Sequence, residues 1–238
     1  ILQVLADTSA RRKTRDLDIA IAVPDWNKYN EICKALIDDG FEKSTHQAQR
    51  FYYGAYEVDI VPYGAVAKAD DNIYWPPEET IAMSVKGFDE VLREAITVCV
   101  DNEFEIKIAS LHGLFLLKLN AWLDRNIGTN KDAEDMWYIV DNYYFANEDR
   151  GVHPEVYELE HFDLTVGGAY WMAHDIADIL DNEQLIYYRD ILAKEASLEE
   201  ESRLVIQILE THRTLALDDV VRVLNTIADV FNKRINDD

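Results

Sequence analysis

Basic residues and cysteines are scarce in this sequence. Its 238 residues include 23 Lys and Arg against 46 Asp and Glu, so the formal net charge is −23. A chain this acidic lacks the broad positive surface that neutralises duplex phosphates, and we expect no extended duplex DNA as a partner. The two cysteines, Cys33 and Cys99, are too few and too far apart for a disulfide framework, so we expect buried thiols.

Long apolar runs and metal-binding histidine patterns are also missing. No run of about 18 apolar residues occurs, and the first ten residues do not resemble a secretory signal. We therefore expect a cytoplasmic protein that does not enter a membrane. The six histidines show no ligand spacing with cysteines or paired acids, so no zinc site is expected. The apolar residues from Ile1 to Leu5 stand at helical spacing with no cap before them, which predicts a further segment upstream.

The first half of the chain has the patterns of strands and one helix. Apolar alternation predicts a strand over 16–23, and Asp25 and Gly40 are placed to begin and end a helix. Two hairpins are predicted after it, over residues 50–53 and 56–61 with a Gly54-Ala55 turn and over residues 96–100 and 104–109.

From Ser110 onward the apolar period becomes 3.6 residues, which predicts helices. A capping box is expected at Ser197 and Glu200, and Gly167-Gly168 is expected to separate two elements. The fold class is therefore α+β, a small mixed β-sheet domain over 1–108 and a helical domain over 109–238. The predicted helices cover residues 110–125, 131–144, 168–181, 183–195, 198–211 and 217–234.

Three aspartates are placed to share one face of the predicted sheet. Asp16 and Asp18 stand two apart on a strand, so both carboxylates leave the same face. Asp59 lies in a second apolar strand that can pair with the first. Carboxylates this close raise one another's pKa unless a cation meets them, which favours a divalent metal site. The alternative is that Asp16 and Asp18 are simply solvated at the beginning of a strand.

The order of these motifs carries a resemblance to a known family. The run from Thr14 to Ile21, then a helix ending at Gly40, then the segment from Val58 to Gly64, resembles the nucleotidyltransferase superfamily related to DNA polymerase beta. The later segments Leu117–Arg125 and Lys131–Asp135 are similar to the AbiEii-like branch of abortive-infection toxins. Together these motifs span somewhat over half of the chain.

The resemblance implies a Mg²⁺-dependent enzyme, or one using Mn²⁺, that transfers a nucleoside monophosphate from NTP to an acceptor hydroxyl and releases pyrophosphate. Asp16 and Asp18 would hold the metals bound to the triphosphate. Asp59 would hold the metal shared with the acceptor and help to deprotonate it. The region 1–108 would then be the metal- and NTP-binding domain, and its beginning would lie upstream of the chain.

Nucleotide-binding residues are also implied by the resemblance. Lys118 and Arg125 are seven residues apart, so they share a helix face that can meet phosphate oxygens. Lys131, Asp132 and Asp135 match the active-site surroundings in the toxin branch. The alternatives are that Lys118 extends from a buried helix and that Lys131 and Asp135 form an ordinary ion pair.

Two further arginines are candidate phosphate contacts. Arg15 belongs to a basic cluster just before the first acids, and it could screen a triphosphate or meet an RNA end; a charged loop is the alternative. Arg50, which precedes the second strand, is the other candidate contact.

One departure from the superfamily pattern leaves two readings open. Residues 1–15 contain no Gly-Gly or Gly-Ser motif, so either the motif lies upstream or the site is degenerate. In the first reading the partners are NTP, an acceptor that is an RNA 3′ end, a protein or a small molecule, and an antitoxin. In the second the protein is a non-catalytic nucleotide-binding module. A metal-dependent phosphohydrolase, which transfers to water, is a further rival.

Overall fold

The structure, a computed structural model, describes residues 16–148 and 153–237. Within these ranges the chain forms eight α-helices and a small mixed sheet, which confirms the α+β fold. The chain divides into two compact units at residues 89 and 90. We call the described residues 16–89 the sheet unit and those from 90 onward the helical unit. The domain boundary after residue 108 stays a prediction.

The sheet unit is built on four strands. Their order is β1-β4-β3-β2, with β1 and β4 parallel and the other pairs antiparallel. The predicted first strand and hairpin are therefore confirmed. The strands are β1 (Asp16–Val23), β2 (Glu42–Lys43), β3 (Arg50–Tyr53) and β4 (Tyr56–Gly64).

One face of this sheet is covered by helix α1 (Trp26–Asp38). The helix begins as expected, because the Asp25 side chain accepts a hydrogen bond of 2.8 Å from the Lys28 amide. Buried Tyr29 and Cys33 belong to the same core as Val58 and Ile60 of β4. The remaining elements toward the end of this unit are β5 (Asn72–Tyr74), β6 (Ala82–Ser84) and α2 (Phe88–Arg93), which continues into the helical unit.

The helical unit begins with the second predicted hairpin and then consists of helices around one large apolar core. The hairpin strands are β7 (Ile96–Val100) and β8 (Phe104–Ile108). The helices are α3 (Leu111–Arg125), α4 (Lys131–Ala146), α5 (Leu164–Ala177), α6 (Asn182–Ser197), α7 (Arg203–Thr211) and α8 (Leu217–Asp237), with 3₁₀ helices at Pro154–Glu158 and Glu199–Glu201.

The interpretation of Gly167-Gly168 as a separator was wrong. Helix α5 begins four residues earlier than expected, at a cap in which Asp163 accepts from the Val166 amide. Both glycines lie inside the helix. A Cβ at Gly168 would stand 2.8 Å from the Val140 carbonyl oxygen of α4, so glycine permits a close approach of two helix backbones that any larger residue would prevent.

Two smaller expectations were also wrong. The capping box forms at Asp181 and Gln184, whereas Ser197 ends α6; the cap of α7 is Ser202. Ser202 caps α7 because its hydroxyl accepts a hydrogen bond from the Val205 amide in the first turn. Both cysteines are free thiols, but only Cys33 is buried, because Cys99 lies on a hairpin strand with little cover.

None of the helices in the described ranges combines the length and the apolarity that a membrane crossing requires.

Candidate active site

The three predicted acids lie on one face of two neighbouring strands. In the parallel pairing of β1 with β4, Asp18 stands opposite Asp59 and Asp16 stands opposite Glu57. Directly paired residues point to the same side of a sheet, so these four side chains share one face. We call these four residues the acid face. Asp16 and Asp18 are exposed, whereas Asp59 is nearly buried.

Arg50 is aimed at the acid face from the third strand. It pairs with Asp59 in the β3–β4 register, and its Nε and Nη2 donate to Asp59 Oδ1 and Oδ2 at 2.7 and 2.8 Å. Its Nη1 lies 2.8 Å from Oε2 of Glu57. The hydrogen bonds to Asp59 raise the pKa of the guanidinium, which stays charged. Asp59 therefore already has a cation at hydrogen-bond distance, supplied by a side chain of the same sheet.

The acid face suits a hard divalent cation in its chemistry. Mg²⁺ prefers carboxylate oxygens and retains several waters, so the two exposed acids, Asp16 and Asp18, fit it. Asp59 fits only if Arg50 yields at least part of its carboxylate. The three carboxylates are also not gathered around one point. Among the described residues, three ligand atoms within 4.8 Å of one another occur at His153, Glu155 and His174 instead.

A second set of predicted residues comes together in the helical unit. Lys118 of α3 lies with its Nζ 2.8 Å from Oδ2 of Asp135 and 3.8 Å from Oδ1 of Asp132, both on α4. About two turns further along α3, Arg125 donates from Nε and Nη2 to the two Asp132 oxygens, each at 2.7 Å. We call Lys118, Arg125, Asp132 and Asp135 the lysine–arginine cluster.

The members of the lysine–arginine cluster differ in exposure. Asp132 is buried, Arg125 is exposed, and Lys118 is between the two. The predicted common face of Lys118 and Arg125 is confirmed, since both reach Asp132. Asp135 bonds to Lys118 across the helix pair, whereas the Lys131 side chain is exposed at the beginning of α4.

Most of the chain matches one known protein family. The family described as "Nucleotidyl transferase AbiEii toxin, Type IV TA system" matches residues 5–219, which is most of the chain. The chain belongs to this family. Comparisons with curated proteins and with solved structures each found no match.

The AbiEii family match covers both sets of residues described above. The acid face lies within the sheet unit, and the lysine–arginine cluster lies within the helical unit. Arg15, the remaining residue predicted to bind nucleotide, and the apolar opening of the chain lie outside the described residues.

Two features of this AbiEii protein were not predicted from its sequence. Arg50 was expected to meet phosphate and instead holds Asp59. A hairpin count would have given the register but not these bonds, because pairing Tyr53 with Tyr56 across the turn also sets Arg50 opposite Asp59. The grouping of His153 and Glu155 with His174 left no signal, since it depends on how α5 packs against a segment about 20 residues earlier in the chain.

Proposed function

We propose that this protein is a Mg²⁺-dependent nucleotidyltransferase toxin that transfers a nucleoside monophosphate from NTP to an acceptor hydroxyl. The observation that carries the proposal is the register that sets Asp18 opposite Asp59, with Asp16 on the same face, in a chain of the AbiEii family. Mn²⁺ would serve as an alternative cation, because it takes the same oxygen ligands.

In this proposal the acids have separate roles. Asp16 and Asp18 would hold the cation, which neutralises charge on the triphosphate when it is bound. Asp59 would help to hold the cation that is shared with the acceptor, and it would take the proton from the acceptor hydroxyl. The new bond joins the acceptor oxygen to the α-phosphorus, the bond to the bridging oxygen breaks, and that oxygen's electron pair leaves with pyrophosphate. An oxygen of Asp59 becomes available for these roles when Arg50 gives up one of its two hydrogen bonds to the carboxylate.

The lysine–arginine cluster would bind the nucleotide phosphates. Arg125 carries its charge on an exposed side chain, and Lys118 carries a second charge near the same Asp132 carboxylate. Asp132 is buried, so it would act by positioning Arg125 and Lys118. Asp135 would orient Lys118 in the same way, and exposed Lys131 would add a longer-range attraction.

The acceptor and the partner follow from the family and the charge. An RNA 3′ end, a protein hydroxyl and a small molecule are the three acceptor classes, and the net charge of −23 favours a short contact over a long RNA footprint. Membership of a type IV toxin–antitoxin family supports an antitoxin as the partner.

The test begins with thermal unfolding of the protein, measured with each NTP and with or without Mg²⁺. Ligand at about a hundred times its Kd raises the unfolding midpoint of a chain this size by roughly 5–10 °C. We expect that rise with Mg²⁺ and its loss in Asp18→Asn. The matched control is Asp38→Asn, an exposed aspartate at the end of α1 that should leave the rise intact.

A second assay separates transfer from its rivals. Pyrophosphate release and incorporation of α-labelled nucleotide are measured with total RNA, with protein extract and without acceptor. Label in an acceptor together with pyrophosphate supports the transferase. Hydrolysis without an acceptor supports a phosphohydrolase, and a midpoint rise without any product supports a non-catalytic nucleotide-binding module. The absence of any midpoint rise in folded protein would contradict the nucleotide site itself.

A further inference from the structure

Two histidines and a glutamate that have no part in the proposed nucleotide transfer converge in the helical unit. His153 immediately precedes the 3₁₀ helix Pro154–Glu158, Glu155 lies in its first turn, and His174 lies in the last turn of α5. Each offers one ligand atom, and the three atoms lie within 4.8 Å of one another. We call these residues the His–Glu–His cluster.

The spacing of the His–Glu–His cluster is close to that of a tetrahedral metal site. Zinc lies about 2.0–2.2 Å from its nitrogen and oxygen ligands, which sets neighbouring ligand atoms roughly 3.4 Å apart. Nδ1 of His153 and Oε1 of Glu155 are already 3.3 Å apart. The ligand nitrogen of His174 lies within 4.8 Å of both atoms, so its separations exceed the tetrahedral value by no more than about 1.4 Å.

One ring nitrogen of His174, Nε2, is buried and has no hydrogen-bond partner among the described residues. Most buried polar side-chain atoms have such a partner, because leaving one without a partner destabilises the folded state. The ring stacks on His153 with centroids 4.0 Å apart and planes 18° from parallel, and each of the two imidazoles contributes one nitrogen to the cluster.

Neighbouring side chains hold the cluster in position. The Tyr170 hydroxyl, one turn before His174 on α5, donates to Oε1 of Glu155 at 3.2 Å. Its ring also lies edge-on to both histidine rings. An outer donor of this kind, fixing the orientation of a ligating carboxylate, is a regular part of protein metal sites.

We propose that the His–Glu–His cluster binds a divalent transition metal of the zinc class, with water as the fourth ligand. Two imidazoles and one carboxylate suit Zn²⁺, whereas the all-oxygen acid face suits Mg²⁺, so the two sites differ in the cation that they select. The metal would fasten the 3₁₀ segment to α5. This role is independent of nucleotide transfer.

The test measures zinc binding by the full chain. Protein stripped with a chelator is dialysed against micromolar free Zn²⁺ with millimolar Mg²⁺ to occupy the acid face, and bound zinc is counted by elemental mass spectrometry. We expect one zinc per chain. The same protein loaded with Co²⁺ should show the intense visible bands of a four-coordinate site.

The variants identify the ligands. His153→Asn and His174→Asn should weaken zinc binding by about a hundredfold or more, and Tyr170→Phe by about tenfold. The matched control is His161→Asn, an exposed histidine in the same stretch of chain, which should bind zinc as the parent does. Far-ultraviolet circular dichroism of the zinc-free proteins verifies that each variant is folded.

Two results would overturn the proposal. One is a folded parent protein that retains no zinc at micromolar free metal. The other is folded His153→Asn and His174→Asn variants that retain zinc with the parent's affinity, which would place the metal elsewhere. A variant that fails to fold is replaced by Glu155→Gln, whose exposed side chain tolerates the change and for which the same loss of zinc is expected.

Discussion

Each unit of this protein contains an arginine–aspartate pair, and the two pairs have nearly the same bond lengths. In the sheet unit Arg50 meets Asp59 at 2.7 and 2.8 Å, and in the helical unit Arg125 meets Asp132 at 2.7 Å twice. Their burial differs. The Asp132 side chain is 1% exposed beneath an arginine that is 56% exposed, whereas Asp59 and Arg50 are 12% and 21% exposed.

The difference separates a fixed pair from one that can exchange partners. A fully buried carboxylate that loses its cation keeps a large desolvation cost, so Asp132 is tied to Arg125. Asp59 lies at the edge of solvent and beside two other acids, where a different cation can replace part of its bonding to Arg50. Equal bond lengths therefore do not indicate equal roles.

The largest expected effect is on Asp59. Asp59→Asn keeps the shape of the side chain and removes its charge and its basic oxygen, so transfer should fall by roughly a thousandfold. Pyrophosphate release at saturating Mg²⁺ measures it. Asp132→Asn is the matched variant in the other unit and should cost less than about tenfold in folded protein, because the role proposed for Asp132 is to position Arg125 and Lys118. Equal losses in the two variants would contradict the distinction between the pairs.

The next effect concerns stability. Arg125→Ala leaves Asp132 buried without its two strongest donors, and we expect the free energy of unfolding to fall by roughly 1–3 kcal/mol. Urea unfolding followed by circular dichroism measures it. Arg93→Ala removes an exposed partner 3.7 Å from Glu90 and should cost less than about 0.5 kcal/mol. If the two arginines cost the same, the Asp132 pair is not the fixed element that its burial indicates.

A smaller effect is expected at Lys118. Lys118→Met keeps the aliphatic stem and removes the charge, so the NTP concentration for half-maximal transfer should rise about tenfold, equivalent to one charge-assisted hydrogen bond. Lys107→Met, at an exposed lysine of β8, is the control and should leave it unchanged. A loss of maximal rate with no change in NTP dependence would assign Lys118 to the chemical step instead.

The smallest effect tests whether Arg50 can be displaced. Arg50→Gln removes the positive charge that competes for Asp59, so the Mg²⁺ concentration for half-maximal transfer should fall by about threefold. A Mg²⁺ titration of pyrophosphate release at fixed NTP measures the change. An unchanged or higher Mg²⁺ requirement would show that Arg50 does not compete with the cation and that the sheet pair is as fixed as the helical one.

Local patterns predicted most elements of this fold. Alternation gave β1, the Asp25 cap gave α1, and turn residues gave both hairpins, since each depends on neighbours in sequence. The failures occurred where packing decides. Gly168 looks like a separator in the sequence, yet it lies within a helix. The glycine is needed there because the α4 backbone passes too close to leave room for a Cβ.

The candidate site was likewise predictable where local patterns decide and not where side-chain packing decides. That Asp16 and Asp18 share a face follows from strand geometry, and that Asp59 joins them needed only the assumption that two apolar strands pair. The hydrogen bonds from Arg50 depend on a side-chain choice among several anions, which no periodicity records. His174 reached His153 and Glu155 through tertiary packing alone.

The parallel pairing of β1 with β4 also determines when the acid face exists during synthesis. Asp18 and Asp59 are 41 positions apart, and α1, β2 and β3 all lie between them in the chain. A contact of this sequence separation forms only after the intervening chain has been made and its loop closed. A nascent or truncated chain that ends before β4 carries Asp16 and Asp18 and lacks Glu57 and Asp59, so a ribosome that stops early releases an incomplete acid face.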